Sequence, residues 1–260
     1  MSSGGLHVLI IDALNLIRRV DAGRRKHASG SGSSVEACTQ SLARALRECA
    51  PSHAVCVFEG KGTSFRALLY PGYKAGRTPM PRDLEQDLPA IRDAFLRLGI
   101  SSIELEAVEA DDIIASLASK IEARKGRVTI LSTDKIFLQL LSEHIHVRDH
   151  FRKQELDRAY VLEKFHVQSA QLADFLALSG DPTNNIPGVP AVGGKTAARL
   201  LHRYSTLENI LEHVTEIGGT LGRTVHENRR EALLFRTLLN LKKDIDVGLN
   251  LRSFRCRPQE

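Results

Sequence analysis

The 260-residue sequence contains no tryptophan, and aromatic residues make up only 5% of it. Stacking on aromatic side chains therefore cannot be its main means of binding a ligand. The longest apolar run, LHVLIIDALNLI, contains Asp12 and Asn15 and is far too short to cross a bilayer. Residues 1–5 lack the basic start and apolar stretch of a signal peptide. We therefore expect a cytoplasmic protein with no membrane contact.

Cysteine is also scarce, and charge of neither sign dominates. No two of the four cysteines, Cys38, Cys49, Cys56 and Cys256, are spaced as CxxC. Their spacing argues against a zinc site and favours reduced thiols. The formal net charge of +5 fits a polyanionic partner but does not require one.

Three short runs rich in β-branched residues have the pattern of buried parallel strands. They are LHVLII (6–11), HAVCVFEG (53–60) and VTILSTD (128–134). Helical patterns lie between and after them, at 35–49, 84–99 and 109–126. This alternation predicts an α/β fold with a parallel sheet and helices on both of its faces.

Two polar stretches interrupt that alternation. Residues 21–34 are rich in glycine and serine, which predicts a mobile loop. Residues 60–83 hold five basic residues together with proline and glycine, and they show no clear core face. Beyond Tyr160 the sequence predicts helices to about residue 243. We therefore expect an α/β core over residues 1–160 and a helical region over residues 161–260.

Carboxylates follow all three predicted strands, as Asp12, Glu59 and Asp134. A further acidic group, EADD at 109–112, begins a predicted helix, where carboxylates are also common for purely structural reasons. The carboxyl ends of parallel strands meet at one sheet edge, so these acids are expected to converge there. Clustered carboxylates repel one another unless a cation neutralises them, and hard oxygen ligands select Mg²⁺ or Mn²⁺.

Four segments carry a resemblance to a known family. They are FEGKGTSFRALLYPGYKAGRTPMP, EADDIIASLA, STDKIFLQLLS and SGDPTNNIPGVPAVGGKTAARLL. In order and spacing they resemble the motifs of the 5′-3′ exonuclease and flap endonuclease family, and the bacterial stand-alone Xni type (exonuclease IX) most. The resemblance covers residues 6–215. It implies a nuclease core of the PIN/FEN-like kind followed by a helix–hairpin–helix element at about 172–204.

The resemblance implies a metal-dependent nuclease acting on DNA with a 5′ flap or a single-strand/duplex junction. Seven acids fall on the family's metal-binding positions: Asp12, Glu59, Glu109, Asp111, Asp112, Asp134 and Asp181. Two departures concern a second metal, because Ile136 and Asn184 stand where the family usually has acids. We therefore expect one firmly held Mg²⁺ or Mn²⁺, and a second that is weak or held partly by DNA.

The basic segment at 60–83 is, by the same resemblance, an arch or clamp through which a free 5′ end passes. Lys74 and Arg77 are expected near the scissile phosphate as catalytic residues, and Arg66 is expected to add a phosphate contact. A cation placed there would stabilise charge that develops during phosphoryl transfer.

The helix–hairpin–helix segment contains a glycine-rich turn ahead of a helix. Such a turn exposes backbone N–H groups that bind phosphate without reading sequence. The expected DNA-binding residues are Ala191, Val192, Gly193, Gly194, Lys195 and Thr196. On resemblance alone, backbone carbonyls of the hairpin also hold K⁺. Those carbonyls belong to Leu178, Ser179, Pro187, Val189 and Val192.

Two other functions compete with a flap endonuclease. One is a catalytically weak or inactive structure-selective DNA-binding protein, for which Ile136 and Asn184 would be the evidence. The other is a PIN-type ribonuclease, which uses a similar acidic cluster, although the helix–hairpin–helix segment argues against it. In each case we expect a monomer with no obligate protein partner.

Overall fold

The structure of this chain is a computed structural model that describes residues 5–26, 33–248 and 250–256. Within those residues, the six strands of its single sheet are β1 (His7–Asp12), β2 (His53–Val57), β3 (Ser101–Ile103), β4 (Arg127–Leu131), β5 (Ile145–Asp149) and β6 (Gln154–Glu155). Their order across the sheet is β3-β2-β1-β4-β5-β6. All neighbouring pairs are parallel except β5 and β6. The predicted α/β fold with a parallel sheet is confirmed.

The α-helices of the described residues divide between the two regions of the chain. Those of the core are α1 (Ala13–Lys26), α2 (Ser34–Cys49), α3 (Phe65–Leu69), α4 (Arg82–Arg97) and α5 (Ala110–Glu122). Those of the helical region are α6 (Arg158–Phe165), α7 (Leu172–Ser179), α8 (Gly194–Tyr204), α9 (Leu207–Glu212), α10 (Val214–Ile217), α11 (Gly219–Glu227) and α12 (Arg229–Leu239). Short 3₁₀ helices occur at Lys135–Leu140, Ser169–Gln171, Pro182–Asn184 and Leu251–Phe254.

Strand β1 is apolar on both sides because both faces of the sheet are covered. Val8 and Ile10 belong to a hydrophobic cluster shared with α5, whereas Leu9 and Ile11 belong to a second cluster shared with α1, α2 and α4. Successive side chains of a strand point to opposite faces, so a continuous apolar run is what two covered faces require. The first cluster continues into α7, α8 and α12. The α/β core and the helical region therefore share one core.

The connections reverse direction between β1 and β4. From β1 the chain builds outward to β2 and β3, and from β4 it builds outward to β5 on the other side. Ligands of open parallel sheets bind in the crevice at the carboxyl ends of the strands where the order reverses. Asp12 is the last residue of β1, and Asp134 follows the end of β4. The topology thus places two of the candidate acids at this crevice.

The predicted loop at 21–34 is wrong in part. Helix α1 continues through Lys26, and α2 begins at Ser34, while residues 27–32 lie outside the described residues. The last turns of α1 are held by Asp21, which is buried and accepts hydrogen bonds from Arg24 at 3.0 Å and Arg25 at 2.6 Å. Ion pairs at these spacings on a helix offset the poor apolar pattern that predicted a loop.

Residues 240–248, here called the C-terminal strap, were predicted as helix as far as residue 243 but lie extended along α5. Helix α12 ends at Leu239. The N–H of Ile245 donates to the Ser116 hydroxyl at 3.0 Å, and the Lys120 ammonium donates to the Ile245 carbonyl at 2.8 Å. The strap therefore joins the helical region to the α/β core through the polar side of α5.

None of the helices in the described segments combines the length and the apolar character that crossing a membrane would need.

Candidate functional site

The acids that end the central strands are fixed by neighbouring backbone groups. One oxygen of Asp12 accepts the N–H of Asn15 at the start of α1 at 3.1 Å, and the other accepts the Ser132 hydroxyl at 2.9 Å. Asp134 accepts the N–H of Ile136 at 2.9 Å, at the start of the 3₁₀ helix that follows β4. Helix N-termini carry partial positive charge, so both carboxylates are oriented by the elements that they begin.

Helix α5 brings in the third group of acids. Glu109 is the residue just before its first turn, and Asp111 lies within that turn. Glu59, arriving from β2, accepts the N–H of Ala110 at 3.2 Å. The start of α5 is therefore attached to the edge of the sheet where the strand acids lie.

The acids at the ends of β1, β2 and β4 all affect the pKa of the Asp111 carboxyl. Burial raises its pKa well above the usual range, and the charges of Asp134, Asp12 and Glu59 raise it further, while Lys74 opposes them. A carboxyl group whose charged form is disfavoured by three others must share one electrostatic environment with them. The charges of Asp12, Glu59 and Asp134 thus all act on Asp111.

The Asp12 carboxyl shows the same effect. Burial raises its pKa to about 6, and the charges of Asp134 and Glu59 add to that shift. Hydrogen bonds from Ser132 and Asn15 act in the opposite direction. Since these bonds favour the charged form, the raised pKa reflects burial and repulsion that the protein leaves uncompensated.

A divalent cation fits this cluster by charge and by donor type. Oxygen donors that raise one another's pKa are the set that a hard cation stabilises best. The described segments contain no three acidic, histidine or cysteine side chains already arranged to enclose an ion. Asp12, Glu59 and Asp134 instead accept hydrogen bonds from backbone N–H groups and, for Asp12, from the Ser132 hydroxyl, so the protein supplies the charge without a closed coordination shell.

Lys74 places a cation beside the acids, as expected from the sequence. Its ammonium donates to Glu109 at 2.6 Å and lies 3.8 Å from Asp111. Burial alone would raise the pKa of Glu109, but the charges of Lys74 and Arg66 outweigh it and lower that pKa. Burial likewise disfavours the charged form of Lys74, yet Asp111 and Glu109 raise its pKa. Both partners are therefore held in their charged forms.

Arg77 is turned toward the helical region. Its guanidinium donates to the side-chain oxygen of Asn184 at 2.9 Å and to the carbonyl of Thr183 at 3.4 Å. In this structure Lys74 contacts the acidic cluster, whereas Arg77 contacts the turn between α7 and α8.

The structure contradicts the roles expected of Arg66 and Asp112. Arg66 was expected to contact a phosphate and Asp112 to bind metal, but both are only 1% exposed and pair with each other at 2.7 and 2.8 Å. The same guanidinium also donates to the carbonyls of Leu238 and Asn240. Asp112 accepts the N–H of Lys242 as well. With every polar atom engaged inside the protein, the pair joins α5 to α12 and the C-terminal strap.

Asp181 is fully buried at the start of the turn between α7 and α8. Its oxygens accept the N–H of Thr183 at 3.1 Å and the side-chain amide of Asn184 at 2.7 Å. The Lys135 ammonium lies 2.8 Å from the first of these oxygens. The charge of Asp181 is thus balanced by the Lys135 ammonium. Ile136, the residue after Lys135, is buried and has no atom that could bind a metal.

Several contacts to the acids were not predicted. The Ser64 hydroxyl donates to Glu109 at 2.6 Å, and the Tyr73 hydroxyl donates to it at 3.1 Å. Ser132 supports Asp12, and Lys135 supports Asp181, as described above. Ser132 stands two residues before Asp134 and Lys135 directly after it, so the STDK motif was the available signal. Nothing in the spacing of Ser64 or Tyr73 points to Glu109.

The hairpin between α7 and α8 depends on glycine at a close approach of two backbones. Gly188 has φ +76°, and a Cβ added to it would lie 2.4 Å from the N atom of Gly180. Beside it, the Val189 N–H donates to the Leu178 carbonyl at 2.8 Å. The residues expected to hold K⁺ all lie on or next to these two adjoining segments: Leu178, Ser179, Pro187, Val189 and Val192.

The first turn of α8 is exposed and lacks a side-chain acceptor. Its N-cap is Gly193, which has no side chain to receive the free N–H groups of Gly194, Lys195 and Thr196. Lys195 is exposed and Thr196 half-buried. Of the two residues just before this turn, Ala191 is exposed and Val192 is buried. This end of the helix therefore presents backbone donors and positive charge to solvent, as an anion-binding site requires.

Family models account for the whole described fold. The model for the N-terminal resolvase-like domain of 5′-3′ exonucleases matches residues 7–166, and the model for their C-terminal SAM fold matches residues 167–260. The chain therefore belongs to the 5′-3′ exonuclease family, and the resemblance drawn from the motifs is confirmed.

Within this family the chain is similar along nearly its full length to curated proteins named flap endonuclease Xni. It is 40% identical to that of Cronobacter sakazakii over 252 residues, which cover 96% of this chain and 98% of the relative. It is 42% identical to that of Tolumonas auensis over 257 residues, which cover 97% and 98%.

Solved structures show the same fold at low sequence identity. The zinc-bound 5′-exonuclease of T5 has a TM-score of 0.76 and 20% identity, and the match covers 90% of this chain and 89% of that one. The catalytic core of Rad2 in complex with a DNA substrate has a TM-score of 0.58 and 14% identity, with 92% and 80% covered. The second match is therefore the more distant in fold as well as in sequence.

Proposed function

We propose that this protein is a flap endonuclease, a 5′ nuclease that hydrolyses phosphodiesters of branched or 5′-single-strand-ended DNA and depends on a divalent metal. The proposal is carried by four acids that belong to the carboxyl edge of the sheet: Asp12 ends β1, Asp134 follows β4, and Glu59, which follows β2, accepts the N–H of Ala110 beside Asp111. The curated relatives, each named flap endonuclease, cover nearly the full length of the chain and agree with it.

The residues that would hold the metal are those whose charges converge: Asp111, Asp12, Asp134 and Glu59. We place Glu109 beside them, because Lys74 already neutralises it. When bound, Mg²⁺ or Mn²⁺ would activate water and stabilise charge on the phosphate. Asp181, balanced by Lys135, would contribute at most to a weak second ion that DNA helps to hold.

The chain's own cations would act on the phosphate that enters this edge. Lys74 is held between Glu109 and Asp111, so a phosphate oxygen arriving there would meet an ammonium that is already charged and oriented. Such preorganised donors stabilise developing negative charge without reorganising during the reaction. Arg77, on the same short segment, would assist from the side of the hairpin.

The hairpin would bind the duplex next to the scissile phosphate. The free N–H groups at the start of α8 and the Lys195 ammonium suit backbone phosphates and carry no base specificity. We also propose K⁺ among the hairpin carbonyls, supported by the packed backbones at Gly180 and Gly188. All of these groups come from one chain, which fits a monomer acting on cytoplasmic DNA during replication or repair.

The experiment is cleavage of an end-labelled 5′-flap duplex with Mg²⁺ under single-turnover conditions. The wild type should cut near the junction, and Asp111→Asn, which keeps the size but removes the charge, should cut at least about a hundredfold more slowly while still binding the flap. Asp93→Asn, an exposed acid of α4, is the matched control and should cleave like the wild type.

Two outcomes would select the competing functions. Retention of the flap without cleavage at any Mg²⁺ concentration would identify a DNA-binding protein without activity. Faster cleavage of an RNA flap of the same sequence would instead support a ribonuclease.

A further inference from the structure

The turn between α7 and α8 is in direct contact with the segment that carries Lys74 and Arg77. The Asn184 carbonyl accepts the N–H of Lys74 at 3.0 Å, and its side-chain oxygen accepts Arg77 at 2.9 Å. Next to it, the Asn185 side chain donates to the Gly72 carbonyl at 2.7 Å. Backbone and side-chain contacts from two successive residues therefore fix the position of residues 72–77.

Asn184 is itself held firmly. It is only 4% exposed, and its side-chain amide donates to Asp181 at 2.7 Å. Asp181 in turn is paired with Lys135, which directly follows Asp134 of the acidic cluster. The turn is therefore anchored to the strand edge on one side and contacts residues 72–77 on the other.

Lys74 needs such support because its backbone is strained. Its φ is +58°, in the left-handed region that residues with a side chain rarely adopt. A conformation of this kind persists only where its surroundings impose it. The hydrogen bond from its N–H to Asn184 is one such constraint, and the pairing of its ammonium with Glu109 is another.

We propose that Asn184 is a positioning residue that holds Arg77 and the Lys74 backbone in place, and so keeps the Lys74 ammonium at the acidic cluster. This rests on the proposed function, which gives Lys74 and Arg77 their role. An asparagine suits the place because its amide offers an acceptor to Arg77 and a donor to Asp181 at once. An aspartate would oppose the buried Asp181 without that donor, and alanine would offer neither group.

The first test is a double-mutant cycle with Asn184→Ala, Arg77→Ala and the combined variant. Single-turnover cleavage and flap affinity are measured separately. We expect Asn184→Ala to slow cleavage by about tenfold, as a small misplacement of a reacting group does, with affinity unchanged. The combined variant should be slower than Arg77→Ala by much less than tenfold, because the contact between Arg77 and Asn184 is already lost and only the support of the Lys74 backbone remains to be weakened. Asn228→Ala is the control, since within the part of the chain that the structure describes its side chain donates only to the Thr224 carbonyl.

The second test needs neither metal nor DNA. Trypsin cuts after Lys74 and Arg77, so the rate of these cuts in the free protein reports how firmly the segment is held. We expect Asn184→Ala to be cut several times faster than the wild type and Asn228→Ala. Asn185→Gly should be cut faster as well. This substitution removes the hydrogen bond from the exposed Asn185 side chain to the Gly72 carbonyl. Because glycine readily adopts the φ of +54° found at this position, we expect the variant to fold.

The outcomes separate the two proposals. Additive effects in the cycle would overturn the positioning role even if the wild type cleaves flaps. Unchanged tryptic rates in both Asn184→Ala and Asn185→Gly would overturn it as well. A wild type that does not cleave would refute the proposed function, and the tryptic rates would still decide whether the turn holds the segment. If Asn184→Ala fails to fold, Arg77→Met removes the same hydrogen bond from its exposed partner, and an unchanged rate of the tryptic cut after Lys74 in that variant would overturn the positioning role.

Discussion

At the scale of single residues, the most consequential pair is Arg66 and Asp112. Both are buried, and the guanidinium satisfies a carboxylate and two backbone carbonyls from a different part of the chain. Removing one member of a buried ion pair leaves an uncompensated charge, which costs far more than the intact pair contributes. An intact pair therefore matters for stability, and its groups are not free to bind DNA.

Arg66→Met should destabilise the protein by about 3–5 kcal/mol, because Asp112 stays buried without its partner. The combined variant Arg66→Met, Asp112→Leu should lose less than the single one, since neither charge of the pair is then left buried without the other. Unfolding in urea followed by circular dichroism measures both. Arg97→Met, on the exposed side of α4, is the control and should differ little from the wild type. A single variant as stable as that control would contradict the role given to the pair.

At the scale of elements, the hairpin of α7 and α8 depends on backbone conformation more than on side chains. Its two sides approach so closely at Gly180 and Gly188 that a methyl group would strike backbone atoms. The open start of α8 and the turn that contains Asn184 both depend on this arrangement. A change at Gly188 should therefore affect the stability of the hairpin and the binding of DNA together.

Gly188→Ala should cost at least about 2 kcal/mol of unfolding free energy, because the residue has φ +76° and its Cβ would lie 2.4 Å from the backbone of Gly180. Flap affinity should fall with it. Gly23→Ala is the control: this glycine lies within α1 with open space around it, so alanine should be neutral or stabilise by up to about 1 kcal/mol. Equal stability of the two variants would show that the backbones do not meet as described.

At the scale of the whole molecule, one hydrophobic cluster runs from the sheet into the helical region, and the C-terminal strap reinforces that union. The acidic edge and the hairpin are therefore parts of one body, so a duplex bound at α8 has a fixed relation to the acids. The positive net charge of +5 favours a polyanion over the surface as a whole.

Binding of flap DNA should weaken steeply with salt, with the logarithm of the association constant falling linearly as the logarithm of salt concentration rises. Lys195→Ala should reduce that slope by about 1, because one phosphate contact is lost. Arg97→Ala removes the same charge away from the hairpin and should leave the slope unchanged. Fluorescence anisotropy over a range of KCl concentrations gives these slopes, and identical slopes for the two variants would remove Lys195 from the interface.

The sequence alone determined the alternation of strands and helices, the acids at the strand ends and the family. These depend on local patterns: an apolar run covered on both faces, and a carboxylate at the end of each strand, are visible in short segments. The ends of helices were predicted less well: α1 continues to Lys26 through a predicted loop, and α12 ends at Leu239, before the predicted residue 243. Ion pairs and packing decide where a helix ends.

Only the tertiary structure decided which acids remain available. Asp112 stands next to Asp111 in the sequence, yet it faces Arg66 while its neighbour faces the strand acids. Arg66 meets the Leu238 carbonyl across 172 positions of the chain, and Arg77 meets Asn184 across 107. Contacts over such separations follow from how the elements pack, and no local pattern of residues specifies them.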